Sequence, residues 1–324
     1  MPSTILSAGE TAAQSRVTPS RSVALTFDDL PYVGAIGDAE GQFSRANVLV
    51  LNRRILDALR EAAVPATGFV VEHSLEALGE DGRALTPLWT EGDFDLGNHG
   101  YSHADTNDLD LTGIEQEVLR GEASVRVAMT EAGKTLRFMR FPMNHTGDTP
   151  DKRDGIRAIL DRYGYQSAAS TIDTSDYVFE AAYQAALRQG RTDCQALIRD
   201  AYVDYSAVQI DYYAALSAEV LGYAPPEVAL LHLNQINADT LPRLLSLYRD
   251  RGFQFVSLAQ AQADPAYQRR GDFVSRYGPM WAYRWARERG RRVGGSKEAE
   301  PPVWLSAYAS GALDCSFSAG GQNQ

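Results

Sequence analysis

The sequence SVALTFDDL occupies residues 22–30 and carries the two features that decide the fold of this chain. Its first six residues form a short apolar run, which predicts a buried β-strand. The run stops at two adjacent carboxylates, Asp28 and Asp29. In parallel α/β folds the functional groups gather at the carboxyl ends of the strands, so polar residues that follow the other strands mark the candidate site.

Further apolar runs alternate with segments of helical periodicity. Strands are predicted at 66–71, 93–99, 136–141, 165–170, 228–233 and 253–258. Helices are predicted at 45–62, before Gly92, and at 112–133, 151–163, 177–189, 194–221 and 239–251. This β–α alternation predicts a mainly parallel sheet, with enough units to close, or nearly close, a barrel.

Two of the predicted helices carry signals of their own. Thr112, with Glu115 three residues later, fits a capping box. The helix at 194–221 repeats apolar residues every three or four positions, which predicts one buried stripe. The stripe comprises Ile198, Ala201, Tyr205, Val208, Tyr212, Leu216 and Val220.

The composition is that of a folded globular protein with more acidic than basic residues. The chain has 324 residues, 44% of them hydrophobic, and its 31 Lys and Arg against 42 Asp and Glu give a net charge of −11. This apolar content supports a sizeable core and excludes disorder as the main state. The negative charge argues against a nucleic-acid partner. No run of about 18 apolar residues predicts a transmembrane helix, and the oligomeric state is left open.

The two ends of the chain differ from its middle. Residues 1–20 have neither a basic nor an apolar segment of the kind found in signal peptides, and we expect a disordered lead-in. A signal removed upstream would leave the same sequence, so an extracytoplasmic location stays open. Residues 264–300 hold nine Lys or Arg against five Asp or Glu, and three of the four tryptophans follow residue 280.

These differences predict a domain organisation. We expect a barrel domain at 21–263 with a helical insertion at about 178–224, and a C-terminal helical appendage and tail at 264–324. The basic, Trp-rich segment either packs on the barrel with a solvated charged face or contacts an anionic or sugar polymer. Cys194 and Cys315 permit one disulfide, which the sequence does not decide.

Titratable residues follow several predicted strands. Two histidines four residues apart, His99 and His103, with one carboxylate from another strand, form a three-ligand set of the kind that holds a catalytic metal. Such a metal lowers the pKa of water and polarises a carbonyl. A second carboxylate at the end of strand 22–27 is then available to take a proton, and a histidine opposite, such as His232, to donate one. This combination predicts hydrolysis of an amide or ester.

The full set of motifs resembles carbohydrate esterase family 4, the polysaccharide deacetylases with a NodB-homology domain. Five segments match in family order, each at a predicted strand end. They are Thr26-Phe27-Asp28-Asp29, His99-x-x-x-His103, Arg140-x-Pro142, Asp173-x-x-Asp176 and Leu231-His232. The resemblance implies a distorted, incomplete (β/α) barrel.

The resemblance also implies a role for each matched residue. Asp28 corresponds to the catalytic base, which Arg140 orients, and His232 to the acid, which Asp176 tunes, although Asp173 is an alternative partner. The metal ligands correspond to Asp29, His99 and His103. Pro142 and Met143 correspond to the groove wall, where a backbone N–H assists the oxyanion, and Tyr177 to a substrate-contacting position. The usual metal is zinc, and Co²⁺, Ni²⁺ and Mn²⁺ are alternatives.

Several positions depart from the family pattern. Leu30, Phe141, Met143, Asn144 and Tyr177 replace the usual residues, but none of these is a ligand or proton carrier. We therefore expect a metal-dependent deacetylase of N- or O-acetylated carbohydrate, with a groove narrowed by the insertion. One alternative is an amidohydrolase of a small non-sugar amide on the same fold. A less favoured one is a catalytically inactive glycan-binding module.

Overall fold

The computed structural model describes residues 21–33 and 45–316. The predicted lead-in at 1–20 lies outside this part of the chain. Eight strands form one sheet. They are β1 (Arg21–Leu30), β2 (Ala66–Val70), β3 (Phe94–Asn98), β4 (Phe138–Met139), β5 (Gln166–Ser167), β6 (Ile172–Asp173), β7 (Glu227–His232) and β8 (Phe253–Phe255).

The strands pair in parallel and curl into an incomplete barrel. Their order is β5-β4-β3-β2-β1-β7-β6, with β8 added beside the start of β1. The edge strands β5 and β6 are consecutive in the chain, and the five steps from Ser167 to Ile172 span at most about 18 Å. The two edge strands do not pair with each other, so the sheet is a curled half-barrel, which confirms the predicted distorted, incomplete (β/α) barrel.

Thirteen α-helices connect or cover the strands in the described part of the chain. They are α1 (Arg45–Glu61), α2 (Glu72–Ala77), α3 (Glu80–Leu88), α4 (Leu111–Gly121), α5 (Ala123–Glu131), α6 (Pro150–Tyr163), α7 (Asp176–Arg188), α8 (Thr192–Leu221), α9 (Gln235–Asp250), α10 (Leu258–Ala261), α11 (Pro265–Gln268), α12 (Trp281–Glu288) and α13 (Val303–Ala309). Among these described helices, none has the length and apolar character needed to cross a membrane.

Two local predictions were wrong, and one strand was missed. The helix at 112–133 is two helices that meet at Glu122, and its N-cap is Asp110, whose side chain accepts from the Gly113 N–H at 2.7 Å. Thr112 therefore lies inside the helix and caps nothing. Strand β6 was not predicted, because two residues are too few to give a periodic signal.

Helix α8 is buried on more than one side, which the single predicted stripe did not anticipate. It packs against α7 and α9 and also against α12 and β6. Val208, assigned to the stripe, is 52% exposed. Polar residues such as Ser206 and Gln209 are buried instead. Ser206 donates to the Tyr202 carbonyl of the same helix, and Gln209 Nε2 donates to the Ala299 carbonyl of the C-terminal segment.

Alternate residues of β1 pack into two different hydrophobic clusters. Val23, Leu25 and Phe27 pack with the surrounding helices. Ala24 faces the opposite side, where it clusters with residues of neighbouring strands and of α10. Because strand side chains alternate, Thr26 and Asp28 share that inner side with Ala24. The first catalytic candidate thus lies on the concave face of the sheet.

A disulfide links the C-terminal segment to α8. Cys194 at the start of α8 is bonded to Cys315, 121 residues later, and both are buried. Between them, α13 packs against α7, which begins at Asp176. The disulfide therefore supports the helix that carries one of the candidate catalytic residues.

We expect the Cys194→Ser/Cys315→Ser variant to lose about 2–5 kcal/mol of unfolding free energy, because its unfolded chain is no longer constrained by a long cross-link. Urea unfolding of the variant and the wild type measures the difference. Wild type treated with reductant serves as the control and should match the variant. A change below about 0.5 kcal/mol, the size of an ordinary surface substitution, would contradict this expectation.

Candidate active site

The carboxyl end of β1 contains an extra residue that redirects Asp29. Phe27 pairs with Gly68 and Leu30 with Val70, so three steps on β1 face two on β2. Asp29 adopts a positive φ of 63°, a left-handed conformation that is uncommon for a residue other than glycine. A regular strand would send Asp28 and Asp29 to opposite faces. The bulge instead lets both carboxylates approach His99.

Asp29, His99 and His103 form a compact group of ligand atoms. Asp29 Oδ1 lies 3.3 Å from His99 Nε2 and 3.0 Å from His103 Nε2. The three potential ligand atoms are all within 4.8 Å of one another. Asp29 Oδ1 is buried without a hydrogen bond, and His103 also has a positive φ, of 60°. An unsatisfied buried carboxylate oxygen facing two imidazole nitrogens fits a divalent cation.

The ring of His99 is oriented by a backbone carbonyl. Its Nδ1 lies 2.7 Å from the carbonyl oxygen of Arg140, so this nitrogen carries the proton and donates. The other ring nitrogen, Nε2, then faces Asp29. Metal-binding histidines are commonly fixed in this way by a partner on the other ring nitrogen.

Arg140 is a buried arginine that holds Asp28. Its Nη1 donates to Asp28 Oδ1 at 2.7 Å and to Thr26 Oγ1 at 2.8 Å, while Nη2 donates to the Ala169 carbonyl at 2.7 Å. The guanidinium also lies 4.4 Å from the ring centroid of Phe69. Burial lowers the pKa of Arg140, and the Asp28 carboxylate offsets part of that effect. The second oxygen of Asp28 lies 3.8 Å from His99 Nε2, toward the ligand group.

His232 and Asp176 form a second pair on the other side of β1. Asp28 and His232 are paired residues of β1 and β7. Asp176 Oδ1 lies 2.6 Å from His232 Nδ1, and its Oδ2 accepts the His232 backbone N–H at 2.7 Å. Asp173 instead accepts from the Ser175 N–H at 2.7 Å. The alternative of Asp173 as the partner is therefore not supported by the structure.

The charge of Asp176 sets the protonation of His232. Burial opposes the charged imidazolium, but the Asp176 carboxylate outweighs it and raises the pKa of His232 well above its ordinary value. The same pairing lowers the pKa of Asp176 despite its burial. The pair is thus a carboxylate beside a protonated imidazole at neutral pH.

The groove-wall residues surround these groups. Met143 is 47% exposed with a φ of 55°, Pro142 is buried before it, and Tyr177 is 54% exposed. The Tyr177 ring lies edge-on to His232, with 6.1 Å between centroids. Gly278 of the C-terminal segment packs against the loop that holds Met143. A Cβ atom at position 278 would lie 1.8 Å from the Met143 carbonyl oxygen.

Two supporting residues were not assigned roles from the sequence. Asn237 Nδ2 donates to Asp176 Oδ2 and to the His232 carbonyl. Thr26 receives the Arg140 hydrogen bond inside the barrel. Asn234, which caps α9, and Asn237 form an Asn-x-x-Asn pattern after β7. That spacing indicates a helix N-terminus, but it does not show that Asn237 turns back toward the strand end.

Comparisons with known proteins agree with the motifs. The polysaccharide deacetylase family model matches residues 15–168. A chitin deacetylase from Pestalotiopsis sp is 27% identical over 160 residues, 49% of this chain and 45% of that protein. A chitooligosaccharide deacetylase from Sinorhizobium fredii is 28% identical over 145 residues, 44% of this chain and 57% of that protein. The chain thus spans about half the length of these curated relatives.

A solved structure supports the fold. It is a mutant, with restored enzymatic activity, of a carbohydrate esterase family 4 pseudoenzyme from Bacillus anthracis. The TM-score is 0.50 at 16% identity, covering 75% of this chain and 68% of that chain. This similarity extends to the overall architecture alone.

Proposed function

We propose that the chain is a metal-dependent hydrolase of acetylated carbohydrate. The premise is the match of residues 15–168 to the polysaccharide deacetylase family model. The observation that carries the proposal is the meeting of three groups at one end of the sheet. The ligand group of Asp29 and the two histidines adjoins a base held by Arg140, and an acid held by Asp176 lies opposite that base on the neighbouring strand β7.

Asp28 is the proposed general base. Arg140 holds its Oδ1, and the remaining oxygen points toward the ligand group. That oxygen is positioned to take the proton of a water attacking the acetyl carbonyl. Arg140 acts through Asp28 and is a positioning residue.

His232 is the proposed general acid. Since Nδ1 is engaged by Asp176, Nε2 is the ring nitrogen left to donate. It would transfer its proton to the departing amine or alkoxide, which is a poor leaving group without that proton. We further propose that a backbone N–H near Met143 stabilises the oxyanion.

The fit of the ligand group supports a divalent cation held by Asp29, His99 and His103, and we propose Zn²⁺. Two nitrogens and one oxygen from the protein are typical of catalytic zinc sites, which keep a position open. Co²⁺, Ni²⁺ and Mn²⁺ are alternatives for the same ligands. When bound, the ion would supply Lewis acidity toward water and the carbonyl.

Metal dependence gives the direct test of this function. Chelation should abolish acetate release from acetylated oligosaccharides, and Zn²⁺ or Co²⁺ added back should restore it, because the three-residue group is otherwise incomplete as a catalyst. Acetate release is measured with metal content in the same samples. Full activity in a preparation free of metal would overturn the proposal.

The substrate is proposed to be a short acetylated oligosaccharide. The exposed Met143 replaces an aromatic residue expected at this position, so a flat surface for sugar stacking is reduced. Tyr177, in the first turn of α7, adds to the wall of the groove beside His232. These same features favour the second candidate, a small non-sugar amide. The inactive glycan-binding module is disfavoured because every ligand and proton carrier implied by the family is present.

Acetyl release from a chain-length series should distinguish these substrates. At equal acetyl concentration, we expect turnover to peak on short chitooligosaccharides and to fall on insoluble chitin, because a walled site admits short chains more readily. Small acetamides serve as the comparison for the second candidate, which they would support if turned over faster than any oligomer. A steady rise in rate with length, up to polymer, would contradict the narrowed groove.

We also propose an oxidising compartment for this protein. The buried disulfide between Cys194 and Cys315 is the supporting observation, since structural disulfides persist where thiols are not kept reduced. Alkylation of the protein isolated from its source, with and without reductant, tests this point. Two alkylated cysteines without reductant would contradict it.

A further inference from the structure

A second cleft lies between α6 and the basic C-terminal segment. Its volume is about 410 Å³, within the range of pockets that hold small ligands. Its lining comes from Thr146, α6, residues 165–167 and residues 266–288, and it includes none of the residues assigned above to catalysis. The basic segment therefore borders a cleft that has no part in the proposed hydrolysis.

Positive charge dominates the wall of this cleft, although the whole chain carries −11. Five arginines face two carboxylates, Asp161 and Glu288. Two of the arginines are neutralised locally. Arg270 donates to both oxygens of Asp161, and Arg153 donates to both oxygens of Asp154 at 2.8 and 2.9 Å.

Arg157, Arg269 and Arg284 then face the single remaining carboxylate of the lining. Arg157 donates to the Gly271 carbonyl and lies 3.5 Å from Asp154 Oδ1, an oxygen that Arg153 already engages. Burial lowers the pKa of Arg157, and the charge of Arg153 lowers it further. The positive charges on this side of the cleft are therefore only partly compensated by carboxylates.

Arg284 is buried beside the same space. It donates to three uncharged oxygens, the Asn144 carbonyl at 2.6 Å, Thr146 Oγ1 at 2.9 Å and the Pro279 carbonyl at 2.8 Å. Burial lowers the pKa of Arg284, and Glu288 offsets part of the effect. A buried cation with neutral acceptors leaves a positive potential in the cleft, because carbonyls solvate the charge without neutralising it.

Aromatic rings complete the lining. The Arg284 guanidinium lies 3.8 Å from the ring centroid of Trp281 and 5.1 Å from that of Phe273. Tyr267 and Trp285, also in the lining, contact each other with centroids 5.3 Å apart. Arginines bind phosphate or carboxylate oxygens in a planar fork, and aromatic faces pack against ring-shaped ligands.

We propose that this cleft binds an oxyanion carried on a ring-sized group, of the sugar phosphate class. The cleft volume, the excess of arginine and the aromatic faces jointly support this class. A free inorganic ion would use the arginines alone, and a neutral sugar would use the rings alone. The proposal does not depend on the hydrolytic function, because no residue of the cleft belongs to that machinery.

Isothermal titration of the full chain tests the proposal with three probes: glucose 6-phosphate, inorganic phosphate and glucose. We expect glucose 6-phosphate to bind, phosphate to bind more weakly and glucose not to bind. Arg157→Gln and Arg269→Gln should each weaken glucose 6-phosphate binding on the order of tenfold or more, as expected for a lost charge-assisted hydrogen bond. Arg53→Gln, an exposed arginine of α1 outside the cleft, is the matched control.

Acetate release by the same variants separates this proposal from the hydrolytic one. Both cleft variants should retain the basal rate, which also shows that they fold. Absence of glucose 6-phosphate binding at millimolar concentration would overturn the cleft proposal. Equal binding by the cleft variants and the wild type, or equal affinity for glucose and glucose 6-phosphate, would overturn it as well.

Discussion

Asp28→Asn is expected to lower turnover by about 10²–10⁴-fold while metal content stays at the wild-type level, because the amide cannot take a proton from water. Arg140 should still hold the amide oxygen in place, so the fold around it is preserved. Asp29→Asn is expected to lose metal instead, since Asp29 Oδ1 is the carboxylate oxygen that faces both imidazoles. Turnover and bound metal are measured on both variants.

The comparison is informative because the two aspartates are adjacent and chemically identical. Asp93→Asn, at an exposed position before β3, is the matched control and should change neither quantity. If Asp28→Asn and Asp29→Asn lost metal to the same extent, the assignment of one base and one ligand would be wrong. If neither lost activity, the site itself would be misassigned.

His232→Gln is expected to lower release of an amine or sugar alkoxide by about 10²–10⁴-fold, the usual effect of losing a general acid. The loss should be much smaller with 4-nitrophenyl acetate, because its leaving group departs without a proton. Asp28→Asn should fail with both substrates, since attack by water is needed in each case. His73→Gln, an exposed histidine, is the control. Equal losses by His232→Gln on both substrates would argue against an acid role.

Asp176→Asn should change the pH profile rather than only the rate. In the wild type the carboxylate raises the pKa of His232, so the acid stays protonated and is lost only as the pH rises through that raised value. Removing the negative charge lets the pKa fall toward about 6.5. The alkaline limb of kcat should then move to lower pH. An unchanged limb with reduced kcat would indicate a purely structural role for Asp176.

Local sequence signals were sufficient for seven of the eight strands and for the polar residues at the strand ends. An apolar run such as 22–27 is buried on both faces in any parallel sheet, so its identity does not depend on distant contacts. The polar residues after such runs share one edge for the same topological reason. The pairing of Asp28 with Arg140 and of Asp176 with His232 agrees with the motif-based assignment.

Other features were decided only by the tertiary structure. The bulge that turns Asp29 to the same side as Asp28 arises from the pairing of β1 with β2. Alternation along β1 alone would place the two side chains on opposite faces of the sheet. Four packing partners decide which faces of α8 are buried. The periodicity of its sequence therefore predicts a buried Val208, which is exposed in the structure. The Cys194–Cys315 bond and the arginine cleft each join segments more than 100 residues apart. Such contacts follow from chain topology and packing, and a local pattern of residues does not encode them.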